Sequence, residues 1–133
     1  MTPTVQRCDF EAGIRTTVLL VEDDVLVRMT LAESLREATC EVMEAASSDE
    51  ALRLLACAPA PDILVTDVKL PGAMDGVELA ARARQIEPGL KIIVTSGHAA
   101  PGEVRDVADA FLAKPFHLHQ LLGEVRALAL AAA

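Results

Sequence analysis

Thr16-Thr17-Val18-Leu19-Leu20-Val21-Glu22-Asp23-Asp24 (TTVLLVEDD) is an unbroken run of β-branched and leucine side chains that stops abruptly at three acids. A strand with one wet face would alternate apolar and polar residues. This one does not, so it reads as a strand buried on both faces, the mark of a parallel sheet sandwiched between helices. Downstream, Val25–Ala38 carries Val27, Leu31, Leu35 and Ala38 at helical spacing. Cys40–Ala45 is a second, weaker strand. Ser47 or Ser48 offers an N-cap, and Asp49 and Glu50 favour the positive end of a helix over Asp49–Ala58, closed by Pro59 and Pro61.

The same alternation continues to the end of the chain. Ile63–Thr66 is a third strand, followed by the turn residues Leu70-Pro71-Gly72-Ala73 and a helix over Gly76–Ile86 that Pro88-Gly89 stops. Lys91–Thr95 is strand four, Pro101–Ala108 a short helix, Ala110–Ala113 strand five and His117–Ala131 the closing helix. Five strands alternating with five helices specify an α/β fold with a doubly wound parallel sheet. Residues 1–15 read as a flexible N-terminal leader and 16–131 as the domain.

Composition narrows the function. With 52% hydrophobic but only 2% aromatic residues, and neither Trp nor Tyr, the core is built from Val, Leu, Ile, Ala and Met. A formal net charge of −8 argues against nucleic acid as a partner, which would need a basic face. No apolar run is long enough to span a membrane. The opening stretch, with Asp9 and Glu11, lacks the apolar core of a signal peptide. Cys8, Cys40 and Cys57 are odd in number and form no CxxC, as expected of thiols in a reducing cytoplasm.

The strand ends carry the chemistry. Strand one runs into Glu22-Asp23-Asp24, strand three ends at Asp67, strand four at Thr95-Ser96 and strand five at Lys114. In a parallel sheet these ends share one edge, where open α/β folds bind ligands. Strand two contributes only Glu44, as befits an outer strand. Asp24 is assigned the structural role of N-cap. Three clustered carboxylates repel one another unless a cation neutralises them. A hard ion such as Mg²⁺ (or Mn²⁺) takes oxygen ligands and is typically held by one or two carboxylates together with a phosphate. An aspartate can accept a phosphoryl group, a reaction that asks the protein mainly for positioning and charge neutralisation.

At these residues the chain resembles the receiver domain of two-component response regulators. The resemblance runs from about Thr16 to Leu130 and rests on LLVEDD (Leu19–Asp24), ILVTDVKLPG (Ile63–Gly72), MDGVEL (Met74–Leu79), IIVTSG (Ile92–Gly97) and FLAKPF (Phe111–Phe116). It implies a flavodoxin-like strand order, 2-1-3-4-5. It implies Asp67 as phospho-acceptor, Asp23 as a direct metal ligand, Glu22 as an acidic partner acting through water, and the Lys69 backbone carbonyl as a further ligand. Thr95 becomes the switch hydroxyl, Phe111 the coupled aromatic switch and Lys114 the partner of the phosphate, with Lys114–Pro115 a cis peptide. The implied donor is a sensor histidine kinase or a histidine phosphotransfer protein, and the implied output is a downstream protein partner, without nucleic acid or membrane. Such a chain is a phosphorylated switch, not an enzyme in the usual sense.

The sequence departs from the family pattern in three places. An extra residue in Pro71-Gly72-Ala73-Met74 lengthens the loop after Asp67. The interval from Thr95 to Lys114 is short, so helix four is expected to be short or partly unwound. Lys69 and Gly97 hold positions that tune dephosphorylation in this family. No output domain follows the fifth helix, which fits a stand-alone receiver or a fragment of a longer regulator or hybrid kinase.

Two other classes compete. A pseudo-receiver would lack an acid, the threonine or the lysine, and none is missing. An aspartyl-phosphate phosphatase would carry a second acid where Lys69 stands, and a flavodoxin would need a phosphate-cradling loop where this chain has acids. His98, His117 and His119 read as surface residues, the last two not sharing a helix face.

Overall fold

The computed structural model describes residues 15–57, 59–98 and 101–132. The expected leader up to residue 14, Cys8 included, lies outside them. The described residues form β1 (Thr17–Val21), α1 (Val25–Glu37), β2 (Glu41–Ala45), α2 (Ser48–Leu55), β3 (Ile63–Asp67), α3 (Gly76–Ile86), β4 (Lys91–Ser96), α4 (Pro101–Val104), β5 (Ala110–Ala113) and α5 (Leu118–Ala132). The five strands make one parallel sheet in the order β2-β1-β3-β4-β5, as expected.

Each central strand is buried on both faces, and its side chains sort by parity into two cores. Val18 and Leu20 of β1, Ile63 and Val65 of β3, Ile93 of β4 and Leu112 of β5 pack with Leu31 and Leu35 of α1 and Leu121 and Val125 of α5. The alternate residues Leu19, Val21, Leu64, Ile92 and Val94 pack with Ala51 and Leu55 of α2, Leu79, Ala80 and Ala83 of α3 and Val104 of α4. Among the described residues, no helix is long and apolar enough to cross a membrane.

Local chemistry sets the helix ends. Asp24 caps α1, its carboxylate accepting from the N–H groups of Leu26 and Val27. Ser47 caps α2 and accepts from Glu50 N–H, while the Glu50 side chain accepts from Ala46 N–H. That pairing is a capping box shifted by one residue. α2 ends at Leu55, ahead of the expected Ala58, and the Cys57 N–H turns back to Leu54 O at 3.1 Å, a tighter bond that closes the last turn. α4 stops at Val104 instead of Ala108. The N–H groups of Val107 and Ala108 both converge on the Val104 carbonyl, and Asp109 must already be extended to donate its N–H to Ile92 O at 2.8 Å. α5 begins at Leu118, after His117, whose N–H donates to the Gln120 side chain at 2.7 Å.

Candidate functional site: an acidic pocket on the carboxyl edge

Strand parity builds the site. Glu22 continues the row Val18–Leu20, Asp67 the row Ile63–Val65, Thr95 follows Ile93, and Lys114 follows Leu112; all four rows face α1 and α5. Asp67 and Thr95 are direct register partners across β3 and β4. The polar residues are therefore a cap on one core layer, formed where each apolar row reaches the carboxyl edge. The ladder persists to the last of them: Glu22 N–H donates to Ala45 O at 3.0 Å and Lys114 N–H to Ser96 O at 2.8 Å.

Lys114 crosses to the acids. Its Nζ lies 2.9 Å from Asp67 Oδ2 and 3.2 Å from Glu22 Oε1. Glu22, Asp67 and Thr95 are buried, at 4%, 8% and 3% exposure, whereas Asp23 is exposed at the mouth. Ligand oxygens of Glu22, Asp23 and Asp67 all fall within 4.8 Å of one another. Burial raises the Glu22 pKa, and neither the Asp24 N–H nor the Lys114 charge fully offsets it. Burial alone would depress Lys114, but the hydrogen bond and charge of Asp67, followed by those of Glu22, hold it above the ordinary lysine value. One ammonium thus faces three carboxylates in a half-enclosed pocket, and the excess charge with an all-oxygen donor set fits a hard divalent cation.

The remaining expected residues fall in two places. Lys69 is exposed beside the pocket, and its N–H makes a long contact of 3.4 Å to Asp67 Oδ1. Phe111 lies on the opposite face of β5, half-buried against the core layer that holds Val94 and Val104. The Lys114–Pro115 peptide is cis. His117 and His119 do share a side: their rings stack with centroids 5.4 Å apart, because His117 precedes the helix and helical spacing does not govern it.

Two supporting residues escaped the sequence reading. Gly76, the first residue of α3, lies so close to the peptide after Asp67 that a Cβ there would collide with the Asp67 carbonyl and the Val68 Cα. Its N–H donates to Val68 O at 2.7 Å. The signal in sequence was the Asp75-Gly76 pair at a helix start, which reads equally well as an ordinary cap. Arg28 reaches back from α1 to the Glu22 carbonyl at 2.8 Å, and nothing in its sequence context separates it from a surface arginine.

The family model for the response regulator receiver domain matches residues 18–126. The chain belongs to the response regulator receiver family. This receiver domain is 38% identical over 120 residues to the response regulator receiver protein CpdR of Brucella abortus, covering 86% of this chain and 98% of CpdR. It is 43% identical over 115 residues to the sensor kinase CckA of the same organism, covering 83% of this chain but only 12% of CckA. The transcriptional regulatory protein PdtaR of Mycobacterium tuberculosis is 36% identical and is spanned over 57% of its length. Among solved structures, a response regulator receiver protein from Sinorhizobium medicae superposes with a TM-score of 0.82 at 31% identity, with 92% of this receiver domain and all of that chain covered.

Proposed function

We propose that this receiver domain accepts a phosphoryl group on Asp67 from a phosphohistidine and uses the added charge to switch a partner-binding surface. The observation that carries the reading is the Lys114 ammonium, 2.9 Å from Asp67 Oδ2 and 3.2 Å from Glu22 Oε1, in a pocket of three carboxylates. In the transfer, an Asp67 carboxylate oxygen bonds to phosphorus while the bond from phosphorus to the donor imidazole nitrogen breaks, its electron pair staying on that nitrogen. The carboxylates of Asp23 and Asp67, with the Lys69 carbonyl and with Glu22 through water, would hold Mg²⁺ or Mn²⁺. That ion supplies neutralisation of charge on the carboxylates and the phosphoryl oxygens. Lys114 gives up part of its ion pair with Asp67 to reach a phosphoryl oxygen, and the Thr95 hydroxyl, already beside Asp67 in register, donates to another.

The domain acts as a stoichiometric switch and not as a turnover enzyme. The likeness to response regulators and to a sensor kinase supports a histidine kinase or a histidine phosphotransfer protein as donor. Access to Asp67 is over the carboxyl edge, beside the first turns of α1, where Val25, Leu26 and Met29 are exposed at 54%, 75% and 56%. A donor covering the pocket also covers that apolar ground. Downstream, phosphorylation acts through differential contacts of the two states. Phe111, on the opposite face of β5, packs against the core layer that includes Val104 of α4.

The test is intact mass after incubation with acetyl phosphate, with Mg²⁺ and then with excess EDTA. One phosphoryl group is expected on the wild type only with metal, and none on Asp67→Asn. Labelling retained in Asp67→Asn overturns the site. No labelling of the wild type, beside a control receiver that labels fully, overturns the reading as an autonomous acceptor.

A further inference from the structure

Glu22 is fixed at every polar atom it owns. Its N–H donates to Ala45 O at 3.0 Å, its Oε1 accepts from Lys114 at 3.2 Å and its Oε2 from Asp24 N–H at 3.2 Å. The fourth atom, its carbonyl oxygen, lies past the end of β1 and accepts instead from Arg28 Nη1 at 2.8 Å. This bond sits at a particular place in the chain. The carbonyl belongs to the rigid peptide plane that joins Glu22 to Asp23, so its orientation sets the direction in which both acids leave the strand. Arg28 is itself held: its Nε lies 3.3 Å from Glu44 Oε1, its side chain is only 17% exposed, and Arg36 binds the other Glu44 oxygen at 3.0 Å. The chain of contacts runs from the edge strand β2 through Glu44 and Arg28 to the peptide between two members of the acidic cluster.

We infer that Arg28 is a positioning residue for the cation site, locking the Glu22–Asp23 peptide so that both carboxylates meet Asp67 without rearrangement. This rests on the reading of the pocket as a divalent-cation site. The role is geometric and opposes the residue's own electrostatics. A guanidinium beside the pocket repels a cation, so removing it would tighten metal binding if charge were all it contributed. Loss of a contact that orients metal ligands acts in the other direction, typically weakening affinity by about ten- to a hundredfold.

The test is Mn²⁺ binding, followed by electron paramagnetic resonance of the free ion and repeated for Mg²⁺ by competition. It is run on wild type, Arg28→Met, Arg28→Lys and Glu44→Gln, with circular dichroism confirming the fold of each. Arg28→Met is expected to raise Kd about tenfold. Arg28→Lys keeps the charge but cannot span both acceptors, so it should fall between Arg28→Met and wild type. Glu44→Gln is expected to show a smaller rise, because the bond to the Glu22 carbonyl survives. A folded Arg28→Met that binds as tightly as wild type, or tighter, overturns the inference. If Arg28→Met does not fold, Arg28→Lys decides, with an unchanged Kd overturning it. A wild type that binds neither ion fails the cation reading itself, a result separable from failure of Arg28 alone.

Discussion

At the scale of single residues, the site depends on two that have no chemistry of their own to offer. Gly76 lets the start of α3 press against the Asp67–Val68 backbone, and every atom a Cβ would meet there is main chain. Main chain in a central strand has no soft direction in which to yield. Gly76→Ala is therefore expected to destabilise the domain by about 2 kcal/mol, an overpacking cost, and to slow acetyl phosphate labelling by moving Asp67. Gly123, in the exposed middle of α5 with nothing within 4 Å of an added Cβ, is the internal control. Gly123→Ala should stabilise by about 0.5–1 kcal/mol through helix propensity. Urea denaturation of both variants checks the contrast, and equal effects would refute the close-approach account. The acids, Thr95 and Lys114 were legible in the sequence because ionisable and hydroxyl side chains interrupt apolar runs. Gly76 and Arg28 were not, since a missing methyl and a backbone hydrogen bond leave no trace in residue pattern.

At the scale of elements, all five strands were legible, and the misplaced ends were those of α2 and α4. Strands β1, β3 and β4 are buried on both faces and announce themselves as apolar runs, so their ends were placed to within a residue. β5, though only four residues long, lies at Ala110–Ala113 as expected, whereas α4, expected to reach Ala108, is a single turn. Here local pattern has too few residues to work with, and tertiary contacts decide the ends. Asp109 supplies the deciding contact. Its N–H donates to Ile92 O at 2.8 Å, its Oδ2 accepts from Ile92 N–H at 2.8 Å, and the same oxygen accepts from Arg84 of α3 at 2.8 Å. A side chain thus takes the place of a strand partner, starting β5 without help from a longer α4. Asp109→Ala leaves the N–H of fully buried Ile92 unpaired, at a cost of about 2 kcal/mol. Asp109→Asn keeps an acceptor and should cost less than half of that. Hydrogen exchange at Ile92, fast in the alanine variant and slow in the asparagine one, is the specific readout. Equal protection in both would mean that the β4–β5 ladder alone holds the edge.

At the scale of the whole molecule, the acidic pocket sets function against stability. The chain carries a formal net charge of −8, and three of its acids are held together with one lysine between them. Burial raises the pKa of Glu22 in the folded protein above its ordinary 4.5. A raised folded pKa means that the fold favours the protonated form. The stability associated with it is therefore present below 4.5 and is lost as pH rises through 4.5 toward the raised value. Above that window the ionised Glu22 is a constant penalty on the metal-free fold. Glu22→Gln removes the penalty while keeping an acceptor for Asp24 N–H, and Lys114 keeps its closer partner, Asp67. In EDTA at pH 7 the variant should be more stable than wild type, and below pH 4.5 the two should converge. Adding Mg²⁺ reverses the advantage. A cation bound only by the folded state stabilises it by about 2.7 kcal/mol at a hundred times Kd, and the variant, with one charge fewer in the pocket, should gain less at the same concentration. Denaturation midpoints of both proteins at pH 4 and pH 7, with and without Mg²⁺, separate these effects. A gap between the proteins that is the same at both pH values would show that ionised Glu22 is not its source. An equal Mg²⁺ gain in the two proteins would show that Glu22 does not contribute to holding the ion.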